Sequence, residues 1–195
     1  LYKKGDFNEA IISYKRAIKI NPGHAEAYSN LGNAFSRIGD FKTAIKNYEK
    51  ARKIKPQFLE VYTNQCEALE KTNKIDELLK LIEVAKTNLV NVSPDIVLYE
   101  ALANYRLKNY DLCESLTNTI VSDKLAQNRV LIFFNLIANL REKQERYSAA
   151  YDAFHKMNQY TVKTGSYNKK DAQLYVKKHK NRIKLIGAQL PWYYA

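Results

Sequence analysis

A chain of 195 residues that is 46% hydrophobic, with only 6 glycines and 4 prolines, has the apolar content of a folded core and too few turn-formers for a loop-rich or disordered protein. No apolar run approaches the ~20 residues of a membrane span. Cys66 and Cys113 form no zinc-binding spacing, which points to a reducing, cytoplasmic setting. The net charge of +12 is unevenly placed, since nine cations between Lys156 and Lys184 face Asp171 alone.

In chain order, residues 1–24 read as the second half of a helix pair. Gly5 and Asp6 mark a turn, Phe7, Ala10, Tyr14 and Ala17 recur at helical spacing, and Pro22 closes the segment. Leu1 then falls inside a first helix, so further repeats are expected upstream. Residues 25–58 hold one whole pair. Tyr28, Leu31 and Phe35 form its first apolar stripe, and Gly39 sits where that helix ends in a left-handed residue. Asp40 can cap the second helix, and Pro56 ends the unit. Two antiparallel helices approach closely only where small side chains meet. Gly32 and Ala44 are expected at that crossing, with Tyr28, Leu31 and Phe35 on its flanks and Ala51 open to the next unit.

The same phase continues with weaker residues. The unit at about 59–92 keeps Tyr62, Ala68, Leu69 and Ala85, but has Cys66 and Leu78 at crossing positions and Asn73 at the turn. A fourth unit, 93–122, aligns on Tyr110 and places Ala101 and Cys113 at the crossing. A fifth, 123–158, aligns on Tyr147 and recovers Ala138, Ala150 and Phe154. Both cysteines are therefore expected as buried, small hydrophobes. Residues 159–195 read as a linker followed by a basic helix, whose Leu174, Val176, Ile183 and Ile186 could cover the last apolar face.

The 34-residue period of 25–58 and the residues Tyr28, Leu31, Gly32, Phe35, Ala44, Tyr48, Ala51 and Pro56 resemble the tetratricopeptide family. That resemblance implies an all-α, right-handed α-solenoid of antiparallel helix pairs over 1–158, completed by the C-terminal capping helix. It also implies a scaffold that binds a peptide or protein in a concave groove lined by the first helices. In the family, unit positions 2, 5, 6, 9, 12 and 13 face that groove.

Two ladders occupy those positions. Lys3, Arg37, Lys71, Arg106 and Lys143 put one cation at position 13 of every unit, a stripe suited to an acidic or C-terminal segment of a partner. The same cations also suit the last turn of a helix, where the macrodipole favours positive charge by roughly 0.3–1 kcal/mol. Asn30 and Asn64, with Asn33 nearby, form an amide ladder able to donate to and accept from a peptide backbone. Solvated helix polars are the other reading of these three. Ser29 and Thr63 replace the lysines of the carboxylate clamp found in chaperone-binding members.

His24, His155 and His179 are scattered, and no Gly-rich phosphate loop or nucleophile elbow is present. No catalytic residue, metal site or cofactor is assigned, and the chain is not expected to be an enzyme by itself. The segment from Ala153 to Val176 is similar to the stretch that follows the last repeat in bacterial sulfotransferases carrying such repeats. That similarity implies a substrate-presenting arm with a catalytic domain downstream. A second alternative is that Lys177, Lys178 and Lys180, interspersed with Tyr175 and Trp192, bind nucleic acid or an anionic surface.

Overall fold

The computed structural model describes residues 7–164. These form nine α-helices, α1 (Phe7–Ile20), α2 (Ala25–Arg37), α3 (Phe41–Ile54), α4 (Leu59–Lys71), α5 (Ile75–Asn88), α6 (Pro94–Arg106), α7 (Tyr110–Thr119), α8 (Gln127–Lys143) and α9 (Tyr147–Lys163), with a single 3-10 turn at Ser122–Lys124. The chain divides into two compact units, 1–107 and 108–195. The division falls between α6 and α7, inside the fourth unit of the sequence pattern. α9 runs to Lys163, and its Met157 packs against Ala138, Ala153 and Phe154. Lys3 and the expected capping helix lie outside the described residues.

In the first unit, α2 pairs with α3 and α4 with α5, while α4 and α5 both receive α6. The crossing residues behave as their size requires. Ala44, Ala51, Cys66, Ala68, Leu78 and Ala85 are wholly buried. A Cβ added at Gly32 would stand 2.5 Å from a ring carbon of Tyr48, a separation no packed carbon pair sustains. Tyr48 is itself 1% exposed, so its ring occupies the space that Gly32 vacates. Its hydroxyl stays paired, donating to Asn33 Oδ1 at 2.8 Å. Tyr62 is tied in the same way, donating to the Pro56 carbonyl at 2.9 Å and accepting from Asn88 Nδ2 at 2.9 Å.

The turns inside the pairs set the phase. Gly39 is left-handed at φ 84°, and the equivalent residues Asn73, Lys108 and Glu145 take φ 56°, 63° and 58°. Asp40, Lys74 and Arg146 then return their amides to the carbonyls of Phe35, Leu69 and Arg141 at 2.9 Å each, which satisfies carbonyls a helix end would leave orphaned. Asp40 caps α3 by accepting from the Thr43 amide at 3.0 Å. That bond holds its carboxyl below the ordinary range. Lys108 and Glu145 carry a Cβ where glycine would be free of strain.

In the second unit, α8 packs on α9 through Ala138, Ala153, Phe154 and Met157. The shorter α7 is held to α8 by polar contacts. Glu114 of α7 accepts from Arg141, from Gln144 Nε2 at 2.5 Å, and from Arg146 Nη1 at 3.0 Å. Cys113, next to it, is fully buried. Burial raises its thiol pKa to about 11, with a smaller upward push from Glu114, so at neutral pH it is a thiol and a poor nucleophile.

The crossing, the turns and the Glu114 cluster each have a measurable effect on stability. Alanine at an open helix position gains roughly 0.5–1 kcal/mol over glycine. Gly32→Ala is expected instead to destabilise by about 1–3 kcal/mol through overpacking against Tyr48, as measured by urea unfolding. Lys108→Gly and Glu145→Gly should each stabilise by about 0.5–1 kcal/mol, because they relieve the left-handed Cβ strain. An unchanged or lowered midpoint would show that the turns are not strained.

At Glu114 the effect depends on acid. Hydrogen bonds from Arg141 and then Gln144 pull the Glu114 carboxyl from 4.5 down to about 2. A depressed native pKa stabilises the fold fully above the unfolded value, and the stabilisation disappears as pH falls from 4.5 toward about 2. The side chain is 22% exposed, so screening reduces the effect to about 1–2 kcal/mol. Glu114→Gln should therefore lower stability near neutrality, and the gap to the parent chain should close across that acid interval.

Candidate peptide-binding wall

Arg37, Lys71, Arg106 and Lys143 are the final residues of α2, α4, α6 and α8. All four are exposed. Each sits where the unsatisfied carbonyls of its helix concentrate negative potential, so the macrodipole supports each independently of any ligand. Lys143 belongs to the second unit, which leaves Arg37, Lys71 and Arg106 in the first.

Two of these three cations already have partners. Lys71 Nζ lies 2.6 Å from Glu67 Oε1, one helical turn back, and 5.8 Å from the centre of the Phe41 ring. Arg106 of α6 reaches across to Glu70 of α4. Arg37 has no described ion pair. Glu67 and Glu70 thus lie beside the basic stripe, and Glu60 is exposed on the same helix as Glu67 and Glu70.

The amides are partly engaged as well. Asn64 Nδ2 of α4 donates to Asn33 Oδ1 of α2 at 2.9 Å, and the same oxygen receives the Tyr48 hydroxyl. That uses both lone pairs of the Asn33 carbonyl, leaving the Asn33 NH2 and the Asn64 carbonyl oxygen for another group. Asn30 is half-buried on α2 with no described hydrogen bond. The Asn33–Asn64 and Glu70–Arg106 contacts join α2 to α4 and α4 to α6, so three first helices form one wall within the first unit.

The sequence gave no sign of the role of Glu70. Its link to Arg106 spans 36 positions and depends on how far the two helices are offset. Ser29 Oγ and Gln65 Oε1, on α2 and α4, are buried without a hydrogen-bond partner. Among the described residues no cluster of three or more His, Cys, Asp or Glu side chains could hold a metal ion, and no helix is long and apolar enough to cross a membrane. The lysines and aromatics of the C-terminal segment, including Lys177, Lys178, Lys180 and Trp192, lie outside the described residues.

Family models described as "TPR repeat" and "Tetratricopeptide repeat" match residues 1–39 and 25–58. No curated protein sequence matches the chain. Among solved structures, the chain is similar to MamA, with TM-score 0.66, 21% identity, and coverage of 84% of this chain and 94% of MamA. It is also similar to PilW, a type IV pilus biogenesis factor, with TM-score 0.71, 18% identity, and coverage of 90% and 78%. A thermophilic tetratricopeptide protein of Thermus thermophilus gives TM-score 0.61 at 19% identity, covering 80% and 84%. These identities carry the fold alone, an all-α helical-repeat solenoid. Over residues 1–58 the chain carries tetratricopeptide repeats, and the left-handed turns that set their phase recur as far as Glu145.

Proposed function

We propose that the chain is a protein-interaction scaffold whose α2–α4–α6 wall holds a peptide segment of its partner, as the first helices do in groove-binding repeats of this kind. The observation that carries this reading is the interlocking of the wall through Asn33–Asn64 and Glu70–Arg106. It fixes exposed polar groups of three helices on one surface without local unfolding. A pre-formed wall lowers the ordering cost that a partner would otherwise meet on binding.

The groups open to a ligand define its chemistry. Arg37 offers an uncommitted guanidinium, and Asn30, the Asn33 NH2 and the Asn64 carbonyl offer donors and acceptors to an extended main chain. An acidic segment engages Arg37 directly, whereas at Lys71 and Arg106 it must exchange with Glu67 and Glu70. Arg37 therefore contributes more to affinity than either of the other two cations.

The test measures partner capture by immobilised protein from a lysate of the source cells. Arg37→Ala should weaken capture by about tenfold, as loss of one charge-assisted contact does, and Lys71→Ala by clearly less. Circular dichroism should show both variants folded. Equal capture by the parent chain and by the combined Arg37→Glu, Lys71→Glu, Arg106→Glu variant would remove the wall from the binding surface.

A further inference from the structure

The outward face of α3 carries a charge pattern that the wall does not use. Lys42, Lys46, Lys50 and Lys53 are all exposed. Their spacing of four, four and three places them on a single stripe. The buried side of the same helix, through Ala44, Ile45, Asn47, Tyr48 and Ala51, faces α2 and α4, so the lysine stripe points away from the wall. Glu49 is the one carboxylate on α3, and it makes no described ion pair.

Repeat register supplies an internal control. The four equivalent positions hold Asn8, Ile12, Arg16 and Lys19 on α1, Asp76, Lys80, Val84 and Thr87 on α5, and Asp111, Ser115, Thr119 and Ser122 in the following repeat. Formal charge at this face therefore runs +2, +4, 0 and −1, and the peak belongs to α3. Helix packing cannot require it, since α5 packs at the same register without it. On α5 the neighbouring charges are also neutralised, with Lys86 between Glu83 and Glu100 and Lys74 on Glu77. Lys42, Lys46 and Lys53 have no described ion pair.

The polarity extends through the first unit. Residues 7–58 carry ten cations and four carboxylates, a balance of +6, while residues 59–107 carry five and eight, a balance of −3. Like charges at i and i+4 destabilise an isolated helix by about 0.2–0.5 kcal/mol per pair. The stripe thus carries a small cost that the Lys50–Tyr28 contact, the Asp40 carboxylate near Lys42 and Lys46, and the place of Lys53 in the last turn offset only in part.

We propose that the Lys42–Lys46–Lys50–Lys53 face of α3 is a second docking surface, separate from the wall, for an acidic helix of a protein partner. Lysines at i and i+4 repeat about every 6 Å, which is also the spacing of glutamates at i and i+4 on a facing helix. The nearby aromatic rings are not open to bases. Lys50 lies over Tyr28, Lys55 over Phe58, Arg52 over Tyr62 and Lys71 over Phe41, so the stacking platform of a single-strand binder is missing. A membrane-surface helix needs an apolar side exposed beside its basic one, and the apolar side of α3 is buried in the core.

The experiment titrates the chain with a labelled synthetic helix bearing glutamates at i and i+4, read by fluorescence anisotropy. The Lys42→Glu, Lys46→Glu, Lys53→Glu variant should bind at least about tenfold more weakly, while Lys80→Glu on α5 stays within about twofold. If the reversed variant does not fold, Lys42→Gln, Lys46→Gln, Lys53→Gln provides the same comparison. Equal binding by the stripe variant and the parent chain overturns the proposal. So does tighter, stripe-dependent binding of single-stranded DNA or of phosphatidylserine vesicles than of the acidic helix.

Discussion

Antiparallel helices joined by a short turn can bury their apolar stripes only if their backbones approach, and in the first unit that approach is set where Tyr48 lies against Gly32. Any Cβ at Gly32 would meet the ring at 2.5 Å. The ring must nevertheless be there, because its hydroxyl supplies the hydrogen that orients Asn33, and Asn33 then receives Asn64 from the next repeat. One missing side chain thus fixes the spacing within a pair and, through a buried tyrosine, the attachment of the next pair. In the following repeat Cys66 and Leu78 fill the crossing and Tyr62 takes over the polar tie, reaching Pro56 and Asn88. The volumes differ from one repeat to the next, but in both a buried tyrosine joins the hydrophobic crossing to the inter-repeat polar contact.

The second constraint is a backbone one. A left-handed residue must follow each first helix if the chain is to reverse, and Gly39, Asn73, Lys108 and Glu145 all adopt it. For lysine and glutamate that conformation costs roughly 1–2 kcal/mol, which at Glu145 the packing of α8 on α9 offsets. The phase of the array therefore outlasts the residues best suited to it.

The same two constraints decide how far the fold could be read from sequence. Gly32, Ala44, Ala51, Gly39 and Asp40 could be placed because each answers a local steric or capping demand with the residue that best meets it. Asn73 was still legible, since asparagine tolerates the left-handed region. Lys108 and Glu145 were not, because propensity argues against them and only the register counted from Tyr110 and Tyr147 reaches them. The candidate wall was legible as a set of positions but not as a set of bonds. Arg37, Lys71 and Arg106 do line up at position 13. That Arg106 meets Glu70 while Arg37 meets no described carboxylate depends on helix offsets of a few ångströms. The Glu114 cluster was missed for the same reason, since its partners lie on another helix and in the turn beyond it.

Under the two proposals, two faces of the first unit take separate roles in recognition. On the α2–α4–α6 wall most charges are already paired and the amides are oriented by one another, so a ligand there is selected by geometry at short range. Removing a wall contact acts chiefly on the rate at which a bound partner leaves. The lysine stripe of α3 is exposed and has no described ion pair, so its field reaches about a Debye length into solvent, ~8 Å at physiological salt. It acts chiefly on encounter and weakens as salt rises. A partner with an acidic helix beside an extended segment would meet the stripe first and the wall second. The tyrosines that join α3 to its neighbours keep the two surfaces at a fixed separation, so the linker between the two parts of such a partner sets how strongly they reinforce each other.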